Sequence, residues 1–347
     1  MSTKTSKQNT GLLLINLGSP QAPTAAAVGP YLTQFLTDRY VIDLPYLLRQ
    51  ALVRAVIVPF RKHKSAEAYQ KIWRPEGSPL VHFTRQFAQK VATQVPYDVR
   101  WAMRYGAPSV ASTLQDWKVD KIDVDKIYIV PLYPQYAESS TQTAVDEALT
   151  EAGRLGLKAE VVFQDFFVAP EFIEASVRQI QKAQTSFRPD HLMLSFHGLP
   201  EHHLNKLHPE VCHQDKACCA QVTTENRKCY RAQSLATARA IQSHLEFAAQ
   251  DVTVSFQSRL GRRPWIQPFT DIEITRLAER GVKRVLVSCP SFVADCLETL
   301  EEIEIRLRAQ FRAEGGEDLA LVPSLNDEDF WVSGFSAMVQ NAISNLR

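Results

Sequence analysis

Three groups of residues have types and spacing suited to chemistry. His197 stands directly after the apolar run "LMLSF", with Gly198 and Pro200 turning the chain behind it. An imidazole titrates near neutrality, so it can accept a proton, and its neutral ring can ligate a soft divalent metal. The plainer reading is a histidine that hydrogen-bonds at a strand end and holds the turn. The second group is acidic: in "FVADCLETLEEIEI", Asp295, Glu298 and Glu302 recur at i, i+3 and i+7 and share one face of an ideal helix. Cys296, Leu300, Ile303 and Leu307 form a separate stripe suited to the core. Such an acidic face is ordinarily just solvated, and acid near a helix start is favoured by the dipole. A histidine base beside a ladder of carboxylates would instead bind a hydrated cation or carry protons away. The third group is Cys212, Cys218, Cys219 and Cys229, spaced C-x5-C-C-x9-C. Structural zinc sites favour C-x2-4-C knuckles, which this is not. Four thiolates suit a [2Fe–2S] cluster, with Lys216, Arg227 and Lys228 offsetting its charge. Spacing alone leaves a cluster and a loop of free thiols open, with zinc third. His202, His203, His208 and His213 read as polar loop residues.

Positioning these groups requires a scaffold, and the hydrophobic pattern supplies one. Strand-like runs cover 12–17, 99–105, 126–132, 159–163, 191–196, 252–257 and 284–289, and helical patterns such as 24–36, 79–93, 139–154, 171–184, 231–245 and 295–312 separate nearly all of them. Continuous apolar strands alternating with helices predict an α/β fold with parallel sheets covered on both faces. The pattern occurs twice, breaking near residues 166–171. Ligands of such sheets sit at the carboxyl ends of the strands. The residues placed there include Leu17, Arg104, Tyr105, Tyr133 and His197, with no Gly-x-Gly-x-x-Gly or P-loop among them. That disfavours a nucleotide and favours a large, flat, mostly apolar ligand.

The chain has 347 residues, enough for two domains, and a net charge of +1, which gives no bulk field for nucleic acid. The polar start "MSTKTSKQNT" lacks an apolar core of signal-peptide length, so a cytoplasmic location is expected. Residues 44–60, "LPYLLRQALVRAVIVPF", are too short and too charged to span a bilayer. They read either as a packed helix or as an apolar lip over a pocket that also touches a membrane surface peripherally.

Taken in order, "GLLLINLGSPQAP", "YLTQFLTDRYVIDLP", "WRPEGSPL", "VPLYPQY", "LSFHGLP", "VSFQSRLGRRPWIQPFTD" and "CPSFVADCLETLEEIE" resemble the blocks of the ferrochelatases, proteobacterial type, from Gly11 to about Leu325. The resemblance implies two Rossmann-like halves and insertion of Fe2+ into protoporphyrin IX, the last step of haem synthesis. It assigns 11–168 to the first half with a lip helix, 169–325 to the second with a cysteine-bearing insert at 201–230, and 326–347 to a helix packing back on the first. His197 matches the family's histidine, read as proton acceptor or metal contact, and Glu298 the glutamate paired with it. Asp295 and Glu302 match an acidic path on a helix with a π-type bulge. Leu17, Arg104, Tyr105, Tyr133 and Trp265 match porphyrin-pocket positions. The resemblance departs after Pro200, where the cysteine-bearing segment replaces the usual loop, and at Cys296, where many members carry histidine. Some bacterial members carry a [2Fe–2S] cluster with all four cysteines in an internal segment, which Cys212, Cys218, Cys219 and Cys229 would parallel. Competing readings are a chelatase of the same fold acting on coproporphyrin or a cobalt corrinoid precursor, and a bilobal tetrapyrrole- or metal-binding protein without chemistry.

Overall fold

The computed structural model describes residues 10–120, 124, 126–207, 217–259, 261 and 263–346. The chain divides into two compact units. One takes in the chain up to Tyr133, Glu138–Asp165 and the C-terminal segment from Asp327; the other holds Pro134–Ala137 and Phe166–Asn326.

The first unit is built on a four-stranded parallel sheet of β1 (Thr10–Ser19), β2 (Asp98–Gly106), β3 (Lys126–Pro131) and β4 (Lys158–Val161), in the order β2-β1-β3-β4. Its helices are α1 (Ala25–Leu36), α2 (Tyr46–Ala51) and α3 (Val58–Ile72) joined by a π-helical segment Leu52–Ile57, then α4 (Pro79–Val91) and α5 (Val110–Val119). A second π-helical segment, Glu138–Gln142, leads into α6 (Thr143–Leu155). The second unit holds α7 (Pro170–Phe187), β5 (His191–His197), α8 (Glu201–Leu207), α9 (Tyr230–Gln242), β6 (Val252–Gln257), α10 (Thr270–Glu279) and β7 (Arg284–Ser288). A third π-helical segment, Glu298–Leu307, runs into α11 (Arg308–Ala313), and β8 (Asp318–Leu321) completes a parallel sheet in the order β6-β5-β7-β8. The last helix, α12 (Asp329–Asn345), belongs to the first unit, where Phe335 and Trp331 pack on Phe87 of α4.

The seven expected strands are all present. The structure adds β8, whose four residues are too short a run to stand out. The central strands are buried on both faces, Leu12 to Ile15 and Leu192 to Phe196 without a break, which is why they read as continuous apolar runs. Each such side chain contributes roughly 1.5–3 kcal/mol by burial. Both sheets share one topology. The first strand sits in the middle, the second is laid on one side and the third on the other, so each sheet has a switch point between its first and third strands. The crevice above that point, at the carboxyl ends, is where an open α/β sheet binds its ligand.

Two expectations need correction. The segment after Pro200 begins as the short helix α8, which carries His202 and His203, rather than as a loop. The acidic helix departs from the ideal phase read off its spacing, in line with the π-type bulge that the resemblance implies. In the π-helical segment, with i→i+5 bonding, one turn takes more than four residues. Thr299, Ile303 and Leu307, spaced four apart, are the residues turned into the core, while Leu300 is only half-buried.

Candidate functional site

In the second unit, the switch point lies between β5 and β7 and falls on His197. His197 is the last residue of β5. Its backbone N–H reaches Ser291 Oγ at 3.3 Å, just past β7, and its ring meets Phe292 edge-on at 6.0 Å. Ser291 is held in turn by the buried Tyr230 hydroxyl at 2.8 Å. The His197 Nδ1 lies 2.6 Å from the Gly198 carbonyl. A carbonyl can only accept, so Nδ1 carries a proton, and when the ring is neutral its lone pair falls on Nε2. Behind His197 the chain passes very close to β6. The Gly198 N–H donates to the Gln257 carbonyl at 2.7 Å, and a Cβ on Gly198 would come within 2.7 Å of that oxygen. Only glycine fits there. Trp265 closes the same turn through a β-bridge to Pro200.

Glu298 and Glu302 are four apart on the π-helical segment and follow one stripe, one residue out of phase with the core stripe. Gln257, at the end of β6, ties this segment to the sheet: its Nε2 donates to the Glu298 carbonyl at 2.8 Å, and its Oε1 accepts from Ser195. The Glu302 carboxylate accepts from both the backbone N–H of Ser258, at 2.9 Å, and its hydroxyl. Ser258 holds a left-handed φ of 67°, a strained conformation for serine that these two bonds stabilise. Burial raises the Glu302 pKa; Ser258, Arg306 and His197 oppose that rise, and the charge of Glu298 adds to it. His197, Glu298 and Glu302 thus interact electrostatically in one place. Glu302, Ser258, Arg259, Asp271 and Arg306 line a cavity of about 200 Å³. The buried Cys296 thiol is hydrogen-bonded to Glu298, and burial, then that carboxylate, holds it well above the ordinary thiol pKa.

Asp295 precedes the π-helical segment. Its carboxylate is buried and engaged on both oxygens, accepting from Thr299 Oγ1 at 3.0 Å, the Ser324 N–H at 3.2 Å and Asn326 Nδ2 at 2.8 Å. It fixes the entry to the π-helical segment. Among the described residues, no three His, Cys, Asp or Glu side chains form a ligand set for a metal ion.

In the first unit, Leu17, Arg104, Tyr105 and Tyr133 gather at the carboxyl ends of β1, β2 and β3. Leu17 is half-buried, its N–H held by Asn16 Oδ1 at 2.8 Å. Tyr105 is fully buried, with its ring edge-on to Phe35 and its hydroxyl donating to Asp38 at 2.9 Å; burial, then the Asp38 charge, pushes its pKa up. Tyr133 is also buried, but its hydroxyl has no hydrogen-bond partner among the described residues. A buried orphan hydroxyl is costly, and it marks a place where a ligand or water completes the pair. Gly18, at φ 113°, lies against the Tyr105 carbonyl, where a Cβ would sit only 1.7 Å away. That close approach is what lets β1 and β2 end side by side.

Residues 44–60 do not pack as a buried helix. Leu48, Leu52, Val56 and Phe60 recur every fourth residue along α2, the π-helical segment and α3, and all are exposed; Leu47 is 78% and Phe60 81% accessible. Arg49 is instead buried and pins the preceding turn, donating to the Thr37 and Leu44 carbonyls at 2.8 and 2.7 Å. Arg61, at the base of this lip, is half-buried and pairs with no carboxylate among the described residues; burial lowers its pKa.

Of the four cysteines, Cys212 lies outside the described residues. Cys219 is hydrogen-bonded to Cys229 and Cys218 and receives Arg231 Nη1 at 3.0 Å. Those contacts, Cys229 first, draw the Cys219 thiol down to about 6 against its burial.

Asp38 and Gln257 escaped the sequence reading as site residues, and Ser258 enters it only by its place after a strand, with Arg259, at the sheet's carboxyl edge. Asp38 looks like an acid in a turn, and its partners Arg104, Tyr105 and Thr143 lie 66 to 105 residues away. A serine in left-handed conformation leaves no compositional mark.

A family model described as Ferrochelatase matches residues 9–343. A protein named Ferrochelatase from Coxiella burnetii (strain Dugway 5J108-111) is 41% identical over 96% of this chain and 94% of its own length. One of the same name from Pseudomonas fluorescens (strain Pf-5) is 45% identical over 95% of this chain and 97% of its own. Among solved structures, SirB from Bacillus subtilis with Fe3+ superposes with a TM-score of 0.53 at 9% identity, covering 97% of this chain and 96% of that one. The sirohydrochlorin chelatase SirB from Bacillus subtilis subspecies spizizenii, in complex with cobalt, gives 0.52 with the same coverage. At such identity these two speak for the fold alone.

Proposed function

Because the chain belongs to the ferrochelatase family, metal-chelating lyases of haem synthesis, we propose that it inserts Fe2+ into protoporphyrin IX with His197 as the first proton acceptor. The reaction exchanges two pyrrole N–H protons for one Fe2+, leaving a neutral metalloporphyrin and two protons to remove. The observation that carries the reading is the 2.6 Å contact between His197 Nδ1 and the Gly198 carbonyl. The Nδ1–H is committed to that carbonyl, so Nε2 is the basic atom, at the sheet's switch point. Glu298 is the second acceptor or the contact for entering iron. Glu302, whose pKa is raised by burial, takes the proton onward and releases it to the cavity beside Arg306. On that cavity Arg259 pairs with Asp271 and Arg306 with Glu301, so its charges are balanced. Asp295 serves by orienting the segment rather than by carrying charge along it.

In the first unit Leu17 and Tyr133 provide apolar and aromatic area for the ring and Arg104 a cation that Tyr105 supports from behind; in the second, Trp265 offers a further aromatic face. Grip on the faces of the macrocycle offsets the strain of tilting its nitrogens toward the metal. Arg61, half-buried and unpaired, suits a carboxylate at the ring's edge. The exposed stripe from Leu47 to Phe60 serves as a peripheral contact with a membrane surface, from which an apolar porphyrin can be delivered to a cytoplasmic enzyme. No described helix is long and apolar enough to cross a bilayer.

We further propose that Cys212, Cys218, Cys219 and Cys229 hold a [2Fe–2S] cluster. The acidified Cys219, its bonds to Cys218 and Cys229 and the nearby Arg231 charge fit a thiolate set. A bound cluster would supply one-electron storage. Protein purified without oxygen should contain iron and acid-labile sulfide in equal amounts; a colourless protein with neither would remove the cluster.

A His197→Ala variant tests the main reading. It should lose iron insertion by about 10²-fold or more while still binding protoporphyrin, read by fluorescence quenching. Unchanged insertion would sink the assigned role. A preference for coproporphyrin over protoporphyrin would move the chain to a neighbouring activity.

A further inference from the structure

The first unit carries a buried carboxylate that the reaction does not use. Asp38 follows α1 by two residues and is almost completely enclosed, with a side-chain accessibility of 5%. Its Oδ2 accepts from Arg104 Nη2 at 2.7 Å, from the Tyr105 hydroxyl at 2.9 Å and from Thr143 Oγ1 at 2.6 Å; its Oδ1 accepts the Tyr40 N–H at 2.8 Å. Thr143 spends its only proton on Asp38, so its lone pair is left for Arg104 Nε, which reaches it at 2.9 Å. The Thr143 carbonyl takes the same Nε at 3.1 Å. The guanidinium, 4.5 Å over the Tyr105 ring, is thereby held at Nε and Nη2, and Nη1 has no hydrogen-bond partner among the described residues. Four elements meet at this one carboxylate: the end of α1, the end of β2, the start of α6 and the turn that leads to the lip. That turn closes on the Asp38 carbonyl through the N–H groups of Val41 and Ile42, and Arg49 pins it from the lip side.

We propose that Asp38 is a positioning residue for the macrocycle: it holds Arg104 in one orientation, with Nη1 as the presented edge, and ties that edge to the base of the lip. This rests on the reading that Arg104 lines the porphyrin pocket. A guanidinium with one free edge and a fixed plane gives a directional contact at little entropic loss. Without Asp38, the hydroxyls of Tyr105 and Thr143 lose their acceptor in a buried place, and Arg104 gains rotational freedom and an uncompensated charge.

The test is steady-state kinetics and porphyrin binding of Asp38→Asn, Arg104→Gln and the double variant, with the thermal midpoint of each. Asp38→Asn should raise the porphyrin KM about tenfold while kcat changes less than about threefold, since orientation of bound substrate is what is lost. In the Arg104→Gln background the same change should add less than about twofold, because the two residues act as one. A porphyrin KM unchanged by Asp38→Asn but raised by Arg104→Gln overturns the positioning role and leaves the pocket reading standing. If Arg104→Gln itself leaves porphyrin KM and binding unchanged, the pocket reading falls and the proposal with it. Should Asp38→Asn fail to fold, Thr143→Val removes one anchor and keeps the charge: a raised porphyrin KM supports the proposal, and an unchanged one overturns it.

Discussion

Glu302 is buried at the edge of the second sheet, and its two bonds from Ser258 do not fully compensate the loss of water. Its folded pKa therefore lies above the ordinary 4.5, with burial as the largest cause. For an acid raised on folding, the stabilising contribution is complete below the unfolded pKa and is lost as pH rises through the folded one. A Glu302→Gln variant never ionises, so it escapes that loss. Its thermal midpoint should gain on the parent's as pH rises from around 5 to about 8, where the parent carries a disfavoured carboxylate. The same variant should lose about 10²-fold in kcat if Glu302 passes protons from His197 and Glu298. Stability gained and turnover lost in one substitution is the signature of a group kept for chemistry. A midpoint difference independent of pH would mean the carboxylate is not held against its charge, and unchanged kcat would remove it from the proton route.

At the scale of elements, what places His197 is the crossing of β5 and β6 at Gly198. A methyl group there meets the Gln257 carbonyl at 2.7 Å, and a backbone oxygen cannot rotate aside as a side chain does. Gly198→Ala should therefore push the strand ends apart, costing about 1–3 kcal/mol in denaturant midpoint. It should depress kcat more than porphyrin KM, because His197 moves with the turn; a variant with normal kcat would show that this crossing does not set the histidine's place. The crossing also marks how far the sequence could be read. A histidine at the carboxyl end of "LMLSF" is visible because a strand buried on both faces writes an unbroken apolar run. The partner of Gly198 is not visible, since it comes from β6, some 60 residues on. The π-helical segment is hidden for a different reason. Side-chain types report which face is apolar but assume a period, and i→i+5 bonding changes it; this moved Thr299 into the core in place of Leu300. Ser258 and Asn326 adopt left-handed φ without being glycine, so no turn signal announces them. Asp38 is legible only once β2 and α6 have been folded against α1.

For the molecule as a whole, a net charge of +1 gives no long-range pull toward any surface, so attachment to a membrane has to come from the lip. Leu47, Leu48 and Phe60 are the most exposed of its purely hydrocarbon side chains. Fully inserting each would yield roughly 2 kcal/mol, and a single fatty-acyl chain already marks the limit of weak, reversible attachment. Arg54, Lys62 and Lys64 lie along the same stretch and would add about 1 kcal/mol each at an anionic surface. The sum is a modest, salt-sensitive affinity, which is what the proposed reversible contact with a membrane requires. The parent protein should therefore sediment with vesicles containing anionic lipid at low salt and be released as salt is raised. A variant with Leu47→Ser, Leu48→Ser and Phe60→Ser should stay in the supernatant, and it should keep kcat within about twofold when porphyrin is dispersed in detergent, because these side chains are already in solvent and support no core. Equal sedimentation of parent and variant would place any membrane contact elsewhere. Failure of the parent to bind at all would leave the exposed stripe without the role proposed for it.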